Sequence, residues 1–231
     1  MKKRLFSLLP ALALTLALTA GGGAPAANAP STLVYGSADY TRINPAMDEH
    51  GEINALLFNG LTAHDGENQV VPGLAERWDY DENAYTYTFH LREGVTWHDG
   101  QPLTSADVKF TIEAIMDPEN GAENAPNYED VEEITTPDQQ TVVFQLAGPN
   151  AAFLEYMTMA VLPRHLLEGE DMQTSGFFRA PVGTGPYKLE RWDVGQAIVL
   201  VKNEDYYLGC PSIDQIIFKI VGDDNAQAVQ L

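Results

Sequence analysis

Between Ala75 and Met116 the chain carries one continuous pattern that leaves few folds open. Tyr85, Tyr87, Phe89 and Leu91 alternate with Thr86, Thr88, His90 and Arg92. A period of two places the apolar set on one face of a half-buried strand. Asp99-Gly100 turns the chain, and Thr104 opens a helix with Asp107 three residues on. That is the spacing at which a carboxylate reaches back to the cap backbone. Val108, Ile112 and Ile115 give the helix a single apolar stripe. The order of strand, aromatic turn and capped helix points to an α/β fold.

The remaining elements follow from the same patterns. A short apolar strand is expected over Ser31 to Gly36, then a polar loop, then a helix from Asp48 to Asn59 stopped by Gly60. Asp117 to Asn127 reads as a polar loop. Val131 to Thr136 and Thr141 to Ala147 flank Pro137-Asp138-Gln139 and read as a hairpin, with Val142, Phe144 and Leu146 on one side. An apolar helix is expected over Ala151 to Leu162, ended by Pro163. Gly183-Thr184-Gly185 lacks the later Gly-Lys-Ser/Thr of a phosphate loop and leads into Tyr187 to Trp192, which has strand character. Two more strands lie at Ile198 to Lys202 and Ile213 to Val221, and a short helix at Ala226 to Leu231. Trp78, Trp97, Tyr187 and Trp192 read as core, and no internal repeat is evident.

Several of these segments together resemble a known family. The run Ala75 to Met116, Asn59-Gly60-Leu61, Val70 to Trp78 with its Pro-x-Leu-Ala-x-x-Trp pattern, and Gly183-Thr184-Gly185-Pro186-Tyr187 are similar to the motifs of bacterial extracellular solute-binding protein family 5. That family holds the oligopeptide-, dipeptide- and nickel-binding receptors of ABC importers. The resemblance covers nearly everything after Ser31. It implies a type II periplasmic-binding-protein-like first lobe with a mixed sheet and an inserted smaller α+β subdomain. On that reading residues 31–58 and 163–231 form the main subdomain and 59–162 the insertion, while a second lobe is absent from this sequence.

The N-terminus fits export. Lys2, Lys3 and Arg4 precede an unbroken apolar run from Leu5 to Leu18, and small residues follow. This describes a secretory signal peptide over residues 1–20, with a flexible Gly/Ala/Pro tether over 21–30. Leu18-Thr19-Ala20 resembles the approach to a lipoprotein cleavage site, yet Gly21 stands where the cysteine should be, which makes a lipid anchor doubtful. The expected location is periplasmic or cell-surface, outside the cytoplasmic membrane. Cys210 is the only cysteine, so an intramolecular disulfide is impossible. It reads as a small packing residue.

Composition removes other classes. Thirty-three acidic residues against 13 basic give a formal charge of -20, which repels nucleic-acid phosphates. The five histidines, His50, His64, His90, His98 and His165, show no metal-ligand spacing, and no nucleophile elbow occurs. His90 and His98 read as ordinary surface residues. An enzyme, a metal site and a cofactor are therefore not expected.

Binding remains, and the resemblance supplies its details. It implies a monomeric substrate-binding subunit that captures peptides and delivers them to ABC permease subunits. Receptors for a nickel chelate, an opine or an oligosaccharide are alternatives within the family, and an accessory module of a secreted enzyme is the alternative outside it. By resemblance, ligand contacts fall on Tyr40 and Asp48, after the first strand, and on Tyr128 in the smaller subdomain.

Overall fold

The computed structural model describes residues 30–47 and 51–221. The proposed signal peptide, Asp48 and the expected helix over Ala226 to Leu231 lie outside them. Ten strands and four helices follow in chain order: β1 (Thr32–Ser37), α1 (Gly51–Leu57), β2 (Thr62–His64), β3 (Val70–Pro72), β4 (Ala75–Asp81), β5 (Thr86–Leu91), α2 (Ser105–Met116), β6 (Val131–Asp138), β7 (Thr141–Leu146), α3 (Phe153–Tyr156), α4 (Arg164–Leu167), β8 (Tyr187–Asp193), β9 (Ala197–Lys202) and β10 (Gln215–Ile220). No described helix is long and apolar enough to cross a membrane.

Two four-stranded sheets organise the chain. One runs β1-β10-β9-β8, with β1 parallel to β10 and the other pairs antiparallel. The other runs β4-β5-β7-β6 and is wholly antiparallel. A two-stranded ribbon of β2 and β3 is the third. The fold is mixed α/β.

In the antiparallel sheet the alternation read from the sequence decides the buried face. Tyr87, Phe89 and Leu91 are buried on β5, and Val142, Phe144 and Leu146 on β7. Phe89 meets Phe144 edge to face at 5.8 Å, and Phe153 joins both. Each such ring contributes roughly 2–3 kcal/mol by burial. Tyr85 does not belong to β5: its φ of 53° places it in the tight turn, where Asp81 Oδ1 accepts from the N–H groups of Asn83 and Ala84. The helix α2 covers this core with Val108, Ile112 and Ile115, as its stripe requires.

Three further expectations need correcting. The segment Ala151 to Leu162 gives a single helical turn, Phe153–Tyr156. Its later backbone groups are used sideways, since Thr62 N–H donates to Met157 O and Val161 N–H donates to Asn59 O. Those bonds compete with the i→i−4 ladder a longer helix would need. Trp78 and Trp192 are half-buried rather than core, whereas Trp97 and Tyr187 are enclosed. Cys210 is exposed, so it does not serve as packing.

Candidate functional site

One cleft of about 600 Å³ opens where α1, the strand-like crossing at Asn59-Gly60, the turn at Asn124–Tyr128 and the segment after α3 converge. Its size is that of a small-molecule site. Glycine makes the crossing possible: a Cβ on Gly60 would lie 2.4 Å from Thr158 O, and one on Gly73 would lie 2.6 Å from Gly60 O. Leu74 N–H donates to Gly60 O at 2.9 Å, and Thr62 Oγ1 donates to Leu154 O at 2.7 Å. Asn59 and Gly60 are thereby pinned between two neighbouring stretches of backbone.

The lining is rich in carboxamides. Asn54, Asn59, Asn124 and Asn127 all face the cleft, with Phe58 and Met159 giving apolar surface. Asn124 is only 8% exposed, and its Nδ2 has no hydrogen-bond partner. Asn54 Oδ1 is likewise enclosed without one. A buried polar atom left unpaired costs about 1–3 kcal/mol. The wall thus encloses one unpaired donor and one unpaired acceptor behind its surface. A second hollow of about 640 Å³, beside α2 and Asp171, shows no such unused groups: Asn120 Nδ2 donates to Ala114 O, and Gln173 Nε2 donates to Asn120 O.

Glu155 is the charged side chain on the cleft wall among the described residues, and its Oε1 lies 2.7 Å from His64 Nε2. No group of three His, Cys, Asp or Glu among the described residues is placed to hold a metal ion.

The residues singled out from sequence are distributed unevenly. Tyr128 lines the cleft but is fully buried; its hydroxyl donates to Tyr156 O at 2.9 Å, and burial pushes its phenol well above the usual range. Tyr40 is half-buried, with its hydroxyl 3.4 Å from Ser37 Oγ, and it does not line this cleft. Asp48 lies outside the described residues. Sequence reading missed the four asparagines, because nothing in composition or spacing separates a cleft asparagine from a turn asparagine.

His98 also departs from expectation. It is half-buried rather than a surface residue, and its imidazole is bonded at both nitrogens to the Gly183–Gly185 turn. That turn lies flat on the C-terminus of α1, where Gly185 N–H donates to Leu57 O. Thr184 Oγ1 is 3.5 Å from Asn59 Oδ1, which links the turn to the cleft wall.

Residues 69–231 match the sequence profile of the bacterial extracellular solute-binding proteins, family 5 Middle. Protein XP55 of Streptomyces lividans is 32% identical over 211 residues, which are 91% of this chain and 38% of that protein. The oligopeptide-binding protein AppA of Bacillus subtilis is 31% identical, over 80% of this chain and 35% of its own length. The chain therefore spans little more than a third of these relatives. Among solved structures, NikZ from Campylobacter jejuni in complex with Ni(L-His) superposes with a TM-score of 0.82 at 36% identity, covering 86% of this chain and 41% of NikZ. AppA in complex with a nonapeptide gives 0.82 at 30% identity, covering 88% and 43%. AgaA from A. tumefaciens, in complex with agropinic acid, gives 0.80 at 30% identity, covering 87% and 42%.

Proposed function

Because this chain belongs to the bacterial extracellular solute-binding proteins of family 5, we propose that its carboxamide cleft is one wall of a solute site. The protein then captures peptides outside the cytoplasmic membrane, as a monomer, and passes them to the permease of an ABC importer. Its role is binding and release, without turnover of the solute. The observation that carries this reading is a cleft lined by four carboxamides, Asn54, Asn59, Asn124 and Asn127, two of which keep an atom without a partner. A peptide offers both partners at every residue, and main-chain hydrogen bonds read length and geometry rather than side-chain identity. AppA, an oligopeptide-binding relative, supports the same solute class.

The arrangement favours a two-sided clamp. This wall would supply one side of the contacts, and closure of an opposing lobe would supply the other. In this scheme 31–58 and 163–231 form one subdomain and 59–162 an inserted smaller one. Tyr40 and Asp48 are proposed solute contacts, and Tyr128 contributes its enclosed ring to the cleft wall. Secretion follows a signal peptide over residues 1–20.

A second reading has its own support, since NikZ shares 36% identity and is described with Ni(L-His). In this second reading the metal arrives inside a chelate, as the described complex of NikZ with Ni(L-His) suggests. Native mass spectrometry of the full chain, purified without denaturation, tests the choice. Retained peptide masses are the expected result. A retained nickel–amino-acid complex, or an opine, would overturn the peptide reading.

A further inference from the structure

We propose that this wall selects for neutral or cationic groups and turns away anionic ones, an inference that rests on the cleft being the solute site. Fifteen of the described residues line the cleft, and none of these is lysine or arginine. Four of them are asparagines, and the charged one among the described residues is Glu155. An anion gives up strong hydration on entering a cleft and must recover it from charge-assisted donors. The asparagine amides are neutral donors, so their return is about half that of an ammonium or guanidinium.

Glu155 adds direct repulsion. Its side chain is 51% exposed, so the effect is that of a screened surface charge. The His64 ring donates to this carboxylate at 2.7 Å, and an uncharged ring leaves the negative charge in place. The wider field has the same sign: 33 acidic residues face 13 basic ones, and three of the basic ones stand at positions 2–4. A field of that sign slows the approach of anions and favours that of cations, more so at low salt. An ammonium group or a lysine side chain placed near Glu155 gains where a glutamate side chain loses.

Isosteric tripeptides test the proposal. Alanine tripeptides carrying Gln or Glu at the first, second or third position are titrated into the full chain by calorimetry at low salt. The measurement is made at about pH 8, where imidazoles as a class carry no charge. At one position at least, Glu should bind about fivefold more weakly than Gln, the size of a surface ion-pair effect. Glu155→Gln should remove most of that difference, and added salt should shrink it. If every Glu peptide matches its Gln counterpart, the peptide reading stands and the charge selectivity falls. If no tripeptide binds, both fall together.

Discussion

Gly183 and His98 hold each other from both sides: His98 N–H donates to Gly183 O at 2.8 Å, and Gly183 N–H donates to His98 Nδ1 at 3.1 Å. The other ring nitrogen then carries the proton and donates to Gly185 O at 3.0 Å. Both bonds require a neutral imidazole with hydrogen on Nε2. Burial, more than any other influence, lowers the ring's affinity for a proton, and its pKa falls from 6.5 to about 4. Lys188 adds to the shift, while the bond to Gly185 O and the Asp99 charge oppose it. This latch joins the loop after β5 to the turn that leads into β8, at the C-terminal end of α1 just before Asn59.

The latch makes stability depend on pH with a defined sign. Between pH 6.5 and about 4 an unfolded chain protonates this histidine while the folded one does not. Its contribution is therefore complete above pH 6.5 and declines as the solution is acidified. From pH 7 to pH 5 the loss is about 2 kcal/mol. His98→Gln should be less stable than the parent at pH 7, and the gap should narrow toward pH 5. Chemical denaturation at both values checks this. A gap that widens on acidification would contradict it.

Gly183 itself should tolerate no side chain. A Cβ there would stand 1.8 Å from Leu57 O, a backbone atom that already accepts from Gly185 N–H. Gly183→Ala should cost about 3 kcal/mol or more, as overpacking against backbone does. Gly176 has no atom within 4 Å of the same construction. Gly176→Ala should thus shift stability by about 0.5 kcal/mol or less. Urea unfolding of the two variants makes the comparison.

Asp107 binds two parts of the chain at once. Its Oδ2 accepts from Thr104 N–H at 2.8 Å and from the Thr104 hydroxyl at 3.0 Å, and its Oδ1 accepts from Arg164 N–H at 3.0 Å. Removing the carboxylate strands two backbone donors in a site only 5% exposed. Asp107→Ala should cost about 2–3 kcal/mol, and Asp107→Asn, which keeps one acceptor, about half as much. Equal losses in the two variants would show that charge rather than hydrogen bonding matters there.

The sequence made some of this legible and hid the rest for physical reasons. Strict alternation at β5 and β7 and the Val108-Ile112-Ile115 stripe could be read directly, because one-sided burial leaves a period in the residues. The capped start of α2 was equally plain at Thr104 and Asp107. β4 was not, since Ala75–Asp81 is mostly polar and takes its place by pairing with β5. The apolar stretch after Ala151 promised a helix because apolarity alone cannot show that Asn59 and Thr62 will claim its backbone groups. The role of His98 depends on a partner 85 residues away, and local patterns carry no trace of that distance. The cleft asparagines were invisible for a similar reason: what sets them apart is the cleft that distant segments build around them.

The most direct test of the account is calorimetric titration of a neutral tripeptide into the full chain and into the Asn54→Ala/Asn124→Ala variant. Asn54 Oδ1 and Asn124 Nδ2 hold no other element of the fold through a hydrogen bond, so the variant should unfold close to the parent's temperature. The account expects weak but measurable binding by the parent, since an opposing lobe would supply the remaining contacts, and an affinity lower by about tenfold in the variant, the worth of two amide hydrogen bonds. A variant that folds normally and binds the peptide as tightly as the parent would contradict it.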